Sequence, residues 1–202
     1  MLKLFYAPGT CALAVNIALH EAHADHEVVR IDFASQQQRS ADYLAVNPKG
    51  RVPALMTERG VISEAPALLL YVAQRFATAQ LAPLSDPFAL AKMQEFNNYL
   101  ASTVHVAHAH GRRASRWADT PEAIEDMKRK VPQTMSECFE LIETHYLQGP
   151  WVLGADYSVA DAYLFTIASW LEGDGVDIER FPKVADHFLR MAQRPAVRAA
   201  MV

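Results

Sequence analysis

The chain has 202 residues, 51% hydrophobic and 21% charged, with a formal charge of −4. That composition can bury a sizeable core, and its near-balanced charge without a basic block argues against a nucleic-acid partner. There is no signal-peptide pattern at the N-terminus and no apolar run long enough for a membrane span, so a cytoplasmic protein is expected. Cys11 and Cys138 lie far apart, which points to free thiols.

Lys3-Leu4-Phe5-Tyr6 reads as a short strand broken by Ala7-Pro8-Gly9. Thr10 can cap the following helix, which places Cys11 in its first turn. Leu13, Ala14, Ile17 and Ala18 supply the helix with a buried face. Glu27 to Asp32 is a second strand, parallel to the first because a helix connects them. A short helix at Ser40–Leu44 leads into Asn47-Pro48-Lys49-Gly50-Arg51-Val52-Pro53. Proline is tolerated only at the start of a central strand, so Ala54-Leu55-Met56 begins after Pro53. A cis bond at Val52-Pro53 would leave the Val52 amide and carbonyl free to meet an extended ligand. Thr57-Glu58-Arg59-Gly60 is a hairpin turn and Val61-Ile62 the return strand. Ser63 or Glu64 then caps a helix with Pro66 in its first turn. A pairing edge followed by a helix N-terminus suits a peptide-like ligand carrying a carboxylate.

Residues 78–87 read as a linker, and everything from Phe88 to Val202 as helical, with helices near 88–110, 121–146, 158–171 and 181–194. The third of these is apolar on nearly every side and opens with Ser158 and Asp161 at capping-box spacing, so it should be the buried centre of its domain.

The order β-α-β-α-β-β-α followed by an all-α domain resembles the glutathione transferases. Val52-Pro53, the acidic-small pair Glu64-Ala65, the Ser158/Asp161 box and the closing Arg190 to Val197 carry that likeness. Pro8-Gly9-Thr10-Cys11 and Asn47-Pro48-Lys49-Gly50 resemble the bacterial beta class. The likeness implies a thioredoxin-like glutathione-binding domain over 1–77, a helical domain over 88–202, and a homodimer. It implies glutathione as co-substrate, paired along Val52 and Pro53, with its γ-glutamyl end at Glu64 and Ala65. It also implies catalytic roles for Cys11, His105 and Tyr6, with Gln36 and Asn98 as further contacts. The expected reaction joins the glutathione thiol to a small electrophile or exchanges it through a mixed disulfide. The competing reading is a non-catalytic binding or assembly protein.

On the residues themselves, a cysteine at a helix N-terminus should have a depressed pKa. Asn98, Ser102, His105, Ala109 and Arg112 share a helical spacing that could line a cleft. The likeness also shows three departures. Gln36 stands where the beta class has a lysine, Ala65 where a serine is frequent, and Ala12 and Thr103-Val104-His105-Val106 lack the usual neighbours, so a reduced pocket is expected. His20, His23, His26, His105 and His108 lack the neighbours that would complete a metal site. Arg112, Arg113 and Arg116 read as a solvated turn.

Overall fold

In the computed structural model, which describes residues 1–201, the first third of the chain builds a four-stranded mixed sheet. Strand β1 (Leu2–Tyr6) and β2 (His26–Arg30) are parallel, connected by helix α1 (Ala12–Glu21). Helix α2 (Ala41–Val46), capped by Ser40, leads to β3 (Ala54–Thr57), which runs antiparallel to β1. The tight turn into β4 (Gly60–Ser63) completes the order β2-β1-β3-β4.

Alternation along β1 divides the core. Leu2 and Leu4 face α1 and helix α3 (Ala65–Arg75), packing with Val15, Leu19, Leu68 and Val72. Phe5 faces the opposite side and meets the Tyr43 ring edge-on at 5.5 Å. The residues that will form the site sit at the ends of these strands, where the apolar layers run out.

Beyond Asp86 the chain is helical. Helix α4 (Pro87–Tyr99) passes through a π-helical turn, Leu100–Val104, into α5 (His105–Arg112). Helix α6 (Pro121–Leu141) ends in a second π turn. Helix α7 (Val159–Ala168) has all ten residues buried. Helices α8 (Pro182–Ala192) and α9 (Pro195–Ala200) close the chain.

The start of α7 is fixed as its sequence requires. Asp161 reaches back to accept the Ser158 amide at 2.8 Å, and the Ser158 hydroxyl accepts the Ala160 amide at 3.3 Å. The same carboxylate also accepts the Val152 amide at 2.8 Å and faces His187 Nε2 at 3.1 Å. One buried acid therefore ties together α7, α8 and the 150–158 loop. Helix α1 packs on α7 and α9, joining the sheet half to the helical half along one apolar seam.

Candidate functional site

A cleft of about 490 Å³ opens between the two halves, a size suited to a small-molecule ligand. One wall is made by the loops at the strand ends and the other by α5 and the residues after it.

The first wall is largely backbone. The Val52-Pro53 bond is cis, as expected from the sequence. Val52 is buried, and among the described residues its amide has no hydrogen-bond acceptor. Its carbonyl meets only the Cys11 thiol, with Sγ at 3.9 Å. Buried backbone groups are rarely left unpaired, so this edge is a place for a ligand's own peptide group. Glu64 stands just past the end of β4 at φ 78°, a sparsely populated conformation for a residue with a side chain. Its carboxylate pairs with Lys49 Nζ at 2.5 Å, and Ala65 begins α3 behind it. Gly50, at φ +59°, lets the loop close on its neighbour: a Cβ there would stand 2.9 Å from the Gln38 carbonyl oxygen.

Gln36 does not line this wall. It adopts φ 58° and starts a 3-10 turn over Gln37–Arg39, and that turn carries Gln38 and Arg39 to the cleft instead. Arg39, three positions on, puts a guanidinium on the cleft where Gln36 does not reach it.

The second wall is made of side chains. Ala101, His105, His108, Ala109 and Arg112 face the cleft; Asn98 does not. Asn98 is exposed and donates from Nδ2 to the Gln94 carbonyl of its own helix at 2.7 Å, and Ser102 donates to the Asn98 carbonyl. The π turn between them explains the error. An extra residue in the turn shifts the phase of everything before it, so a stripe read at constant helical spacing fails across it.

Cys11 lies at the head of α1, at the bottom of the cleft, but its thiol is not activated as the sequence suggested. Burial pushes its pKa up to about 12, against the opposing pull of Arg113. A helix terminus contributes typically 0.3–1 kcal/mol, whereas a rise from the reference 9.0 to about 12 corresponds to roughly 4 kcal/mol against ionisation. Loss of water outweighs the macrodipole. Tyr6, by contrast, does not line the cleft. Its ring packs where three apolar clusters meet, and burial raises its pKa.

His105 is partly buried, and its pKa is lowered to about 3 by burial first and then by the Arg113 charge. Arg113 Nη2 donates to His105 Nε2 at 3.1 Å. Because a guanidinium has no acceptor, Nε2 carries the lone pair and Nδ1 the proton. His105 is a neutral hydrogen-bond donor here, not a free base. Behind it, His108 Nδ1 sits 2.8 Å from Asp174, and its ring stacks on Trp170 at 4.3 Å.

The sequence reading therefore missed Arg39, Arg51, His108 and Trp170. It placed Arg112 in a cleft-lining stripe, as found, but read the cluster of Arg112, Arg113 and Arg116 as a solvated turn, whereas all three line the cleft. A signal was available in the sequence. Three arginines within five residues, seven to eleven positions beyond His105, already place positive charge near that histidine. No group of three or more metal-ligating side chains occurs among the described residues. Nor is any helix there long and apolar enough to cross a membrane.

Residues 1–74 match the family model described as glutathione S-transferase, N-terminal domain, and residues 121–199 match the corresponding C-terminal domain. The glutathione S-transferase GstA of Escherichia coli is 33% identical over 202 residues, covering 99% of this chain and 97% of that one. Among solved structures, a glutathione transferase homolog from Sulfitobacter with bound glutathione is 49% identical, with a TM-score of 0.96 over 98% of this chain and 96% of that one. The beta-class glutathione S-transferase of Sphingomonas chungbukensis is 33% identical, with a TM-score of 0.86 over 98% and 96%.

Proposed function

Because the chain belongs to the glutathione S-transferase family, we propose that it joins the thiol of glutathione to small electrophiles or exchanges it through a mixed disulfide. The observation that carries this reading is the unpaired, buried Val52 peptide beside Glu64 and the N-terminus of α3. The cysteinyl backbone of glutathione pairs with the Val52 amide and carbonyl at the turn into Pro53. Its γ-glutamyl ammonium meets Glu64, and the adjoining carboxylate takes the amide of Ala65 at the helix start. Its glycyl carboxylate meets Arg39, which presents a two-pronged donor to it. Gln36 and Asn98 have no part in this arrangement.

The reactive thiolate is glutathione's own. Arg113 and Arg51 both favour ionisation at the Cys11 sulfur, although burial overrides them there. The same positive field acts on a ligand thiol in the open cleft without that penalty. Neutral His105 donates a hydrogen bond from Nδ1–H to the developing thiolate. In conjugation the thiolate forms a C–S bond at an electrophilic carbon, the bond to the leaving group breaks and that group departs with the bonding pair, and the thiol proton goes to solvent. In exchange it attacks a disulfide sulfur and expels the other sulfur as thiolate. Cys11 contributes shape and the contact to Val52. Tyr6 contributes packing. Family membership supports extending the reading to a homodimer in the cytoplasm, with 1–77 and 88–202 as its two working halves.

Retention on immobilised glutathione, release by free glutathione, and initial rates with chlorodinitrobenzene test the reading. Retention and turnover together support it. Retention without turnover would favour a non-catalytic binder, and absence of both would remove it.

A further inference from the structure

We propose that the helical wall of the cleft is a subsite for an aryl electrophile that bears a carboxylate. The inference rests on the transferase reading and names its second substrate by chemical class. Six cations line the cleft: Arg39, Lys49, Arg51, Arg112, Arg113 and Arg116. Lys49 is paired with Glu64. Among the described residues, none of the five arginines has a carboxylate within 4.0 Å, although eight lysine or arginine ion pairs form elsewhere or at the Lys49–Glu64 rim.

The arginines also oppose one another. Arg51 and Arg112 lower the Arg113 pKa, after burial, and Arg113, Arg51 and Arg39 do the same to Arg116. Arg113 Nε is buried with no partner, and the one side chain that Arg113 meets is the neutral His105. Unpaired, mutually repelling cations in a concave site attract anions.

Glutathione does not consume all of that charge. Its glycyl carboxylate takes Arg39, its thiolate lies in the field of Arg51 and Arg113, and its γ-glutamyl carboxylate goes to the Ala65 amide, which leaves two of the five arginines. Arg112 at the end of α5 and Arg116 in the next turn are exposed on the helical side, four residues apart. Beside them Trp117 lines the cleft with 47% of its surface exposed, held edge-on to His110 at 4.6 Å. An aromatic face next to guanidinium forks recognises a planar ring carrying a carboxylate. With an aryl chloride of this kind, the glutathione thiolate adds to the ring carbon bearing chlorine. The C–S bond forms, the C–Cl bond breaks, chloride leaves with the bonding pair, and the thiol proton goes to solvent.

The test is calorimetric and needs no turnover. Dinitrobenzoate and dinitrobenzene, which lack the leaving group, are titrated into glutathione-saturated protein. The acid should bind about tenfold or more tightly, as expected for charge-assisted contacts. Arg112→Gln and Arg116→Gln should each remove most of that preference and leave the glutathione isotherm unchanged, while Arg116→Lys should retain part of it. Equal binding of the two ligands overturns the proposal. So does a preference that survives both glutamine variants while glutathione binding weakens, because the arginines would then belong to glutathione. If the wild type binds no glutathione, the transferase reading fails by itself. The preference for the acid in the free protein, and its loss in the variants, then still decides the subsite.

Discussion

The two walls of the cleft recognise ligands in different ways. The sheet-side wall, from Lys49 to Ala65, offers an unpaired peptide, a helix start and one ion pair already formed. The helical wall offers side chains, chiefly arginines without counter-ions and a histidine held neutral by burial and then by one of them. Backbone recognition is set by the local chain, so a few prolines and glycines specify it. Side-chain recognition depends on helix phase and on residues far away in sequence, as with His108 and Asp174, 66 positions apart.

The largest way to break the contrast is through the support of the helical wall. Asp161 accepts two buried amides and faces a buried histidine, so Asp161→Ala strands three donors at once. At roughly 1–3 kcal/mol for each unsatisfied group, the loss should be at least about 3 kcal/mol, well above an ordinary cap. Urea unfolding measures it, and an unchanged midpoint would mean that this acid does not organise the helical half.

The sheet-side wall breaks separately. Gly50→Ala places a methyl 2.9 Å from the Gln38 carbonyl oxygen and 3.0 Å from Arg39 Nη1, at a φ of +59°. The expected cost is about 1–3 kcal/mol, with weaker glutathione binding as the 38–39 turn shifts. The preference for an aryl carboxylate, measured in the same titrations, should remain.

A smaller effect sharpens the chemistry. The folded pKa of His105 lies near 3, below the reference 6.5, so the unfolded chain binds the proton more readily. Its contribution to stability is therefore full above pH 6.5 and is lost as pH falls toward 3. Acid unfolding of His105→Gln should lack that component, and the turnover profile of the wild type should show no His105 limb near 6.5. An imidazole titrating near 6.5 by NMR at this position would contradict the assignment.

What could be read from the sequence follows the same division. Pro53 after Val52, Gly60 in its turn and the Ser158/Asp161 box each act within a few residues, and the succession of strands and helices in the first half, the cis bond and the α7 start appear as expected. Asn98 was misplaced because the π turn at Leu100–Val104 leaves no composition signal. Gln36 was misplaced because a left-handed residue begins a 3-10 turn that advances the chain to Arg39. The Cys11 thiol was misjudged because its position on the helix is local and its burial is not.

The central claim is that glutathione belongs to the sheet-side wall, with Glu64 holding its ammonium, and that the outer arginines do not hold it. Calorimetry of glutathione with the wild type, Glu64→Gln and Arg116→Gln tests this most directly. Glu64→Gln keeps the shape and removes the charge, so affinity should fall by about tenfold, the value of a charge-assisted bond against a neutral one. Arg116→Gln should bind glutathione as the wild type does. Wild-type affinity in Glu64→Gln together with lost affinity in Arg116→Gln would reverse the assignment of the two walls.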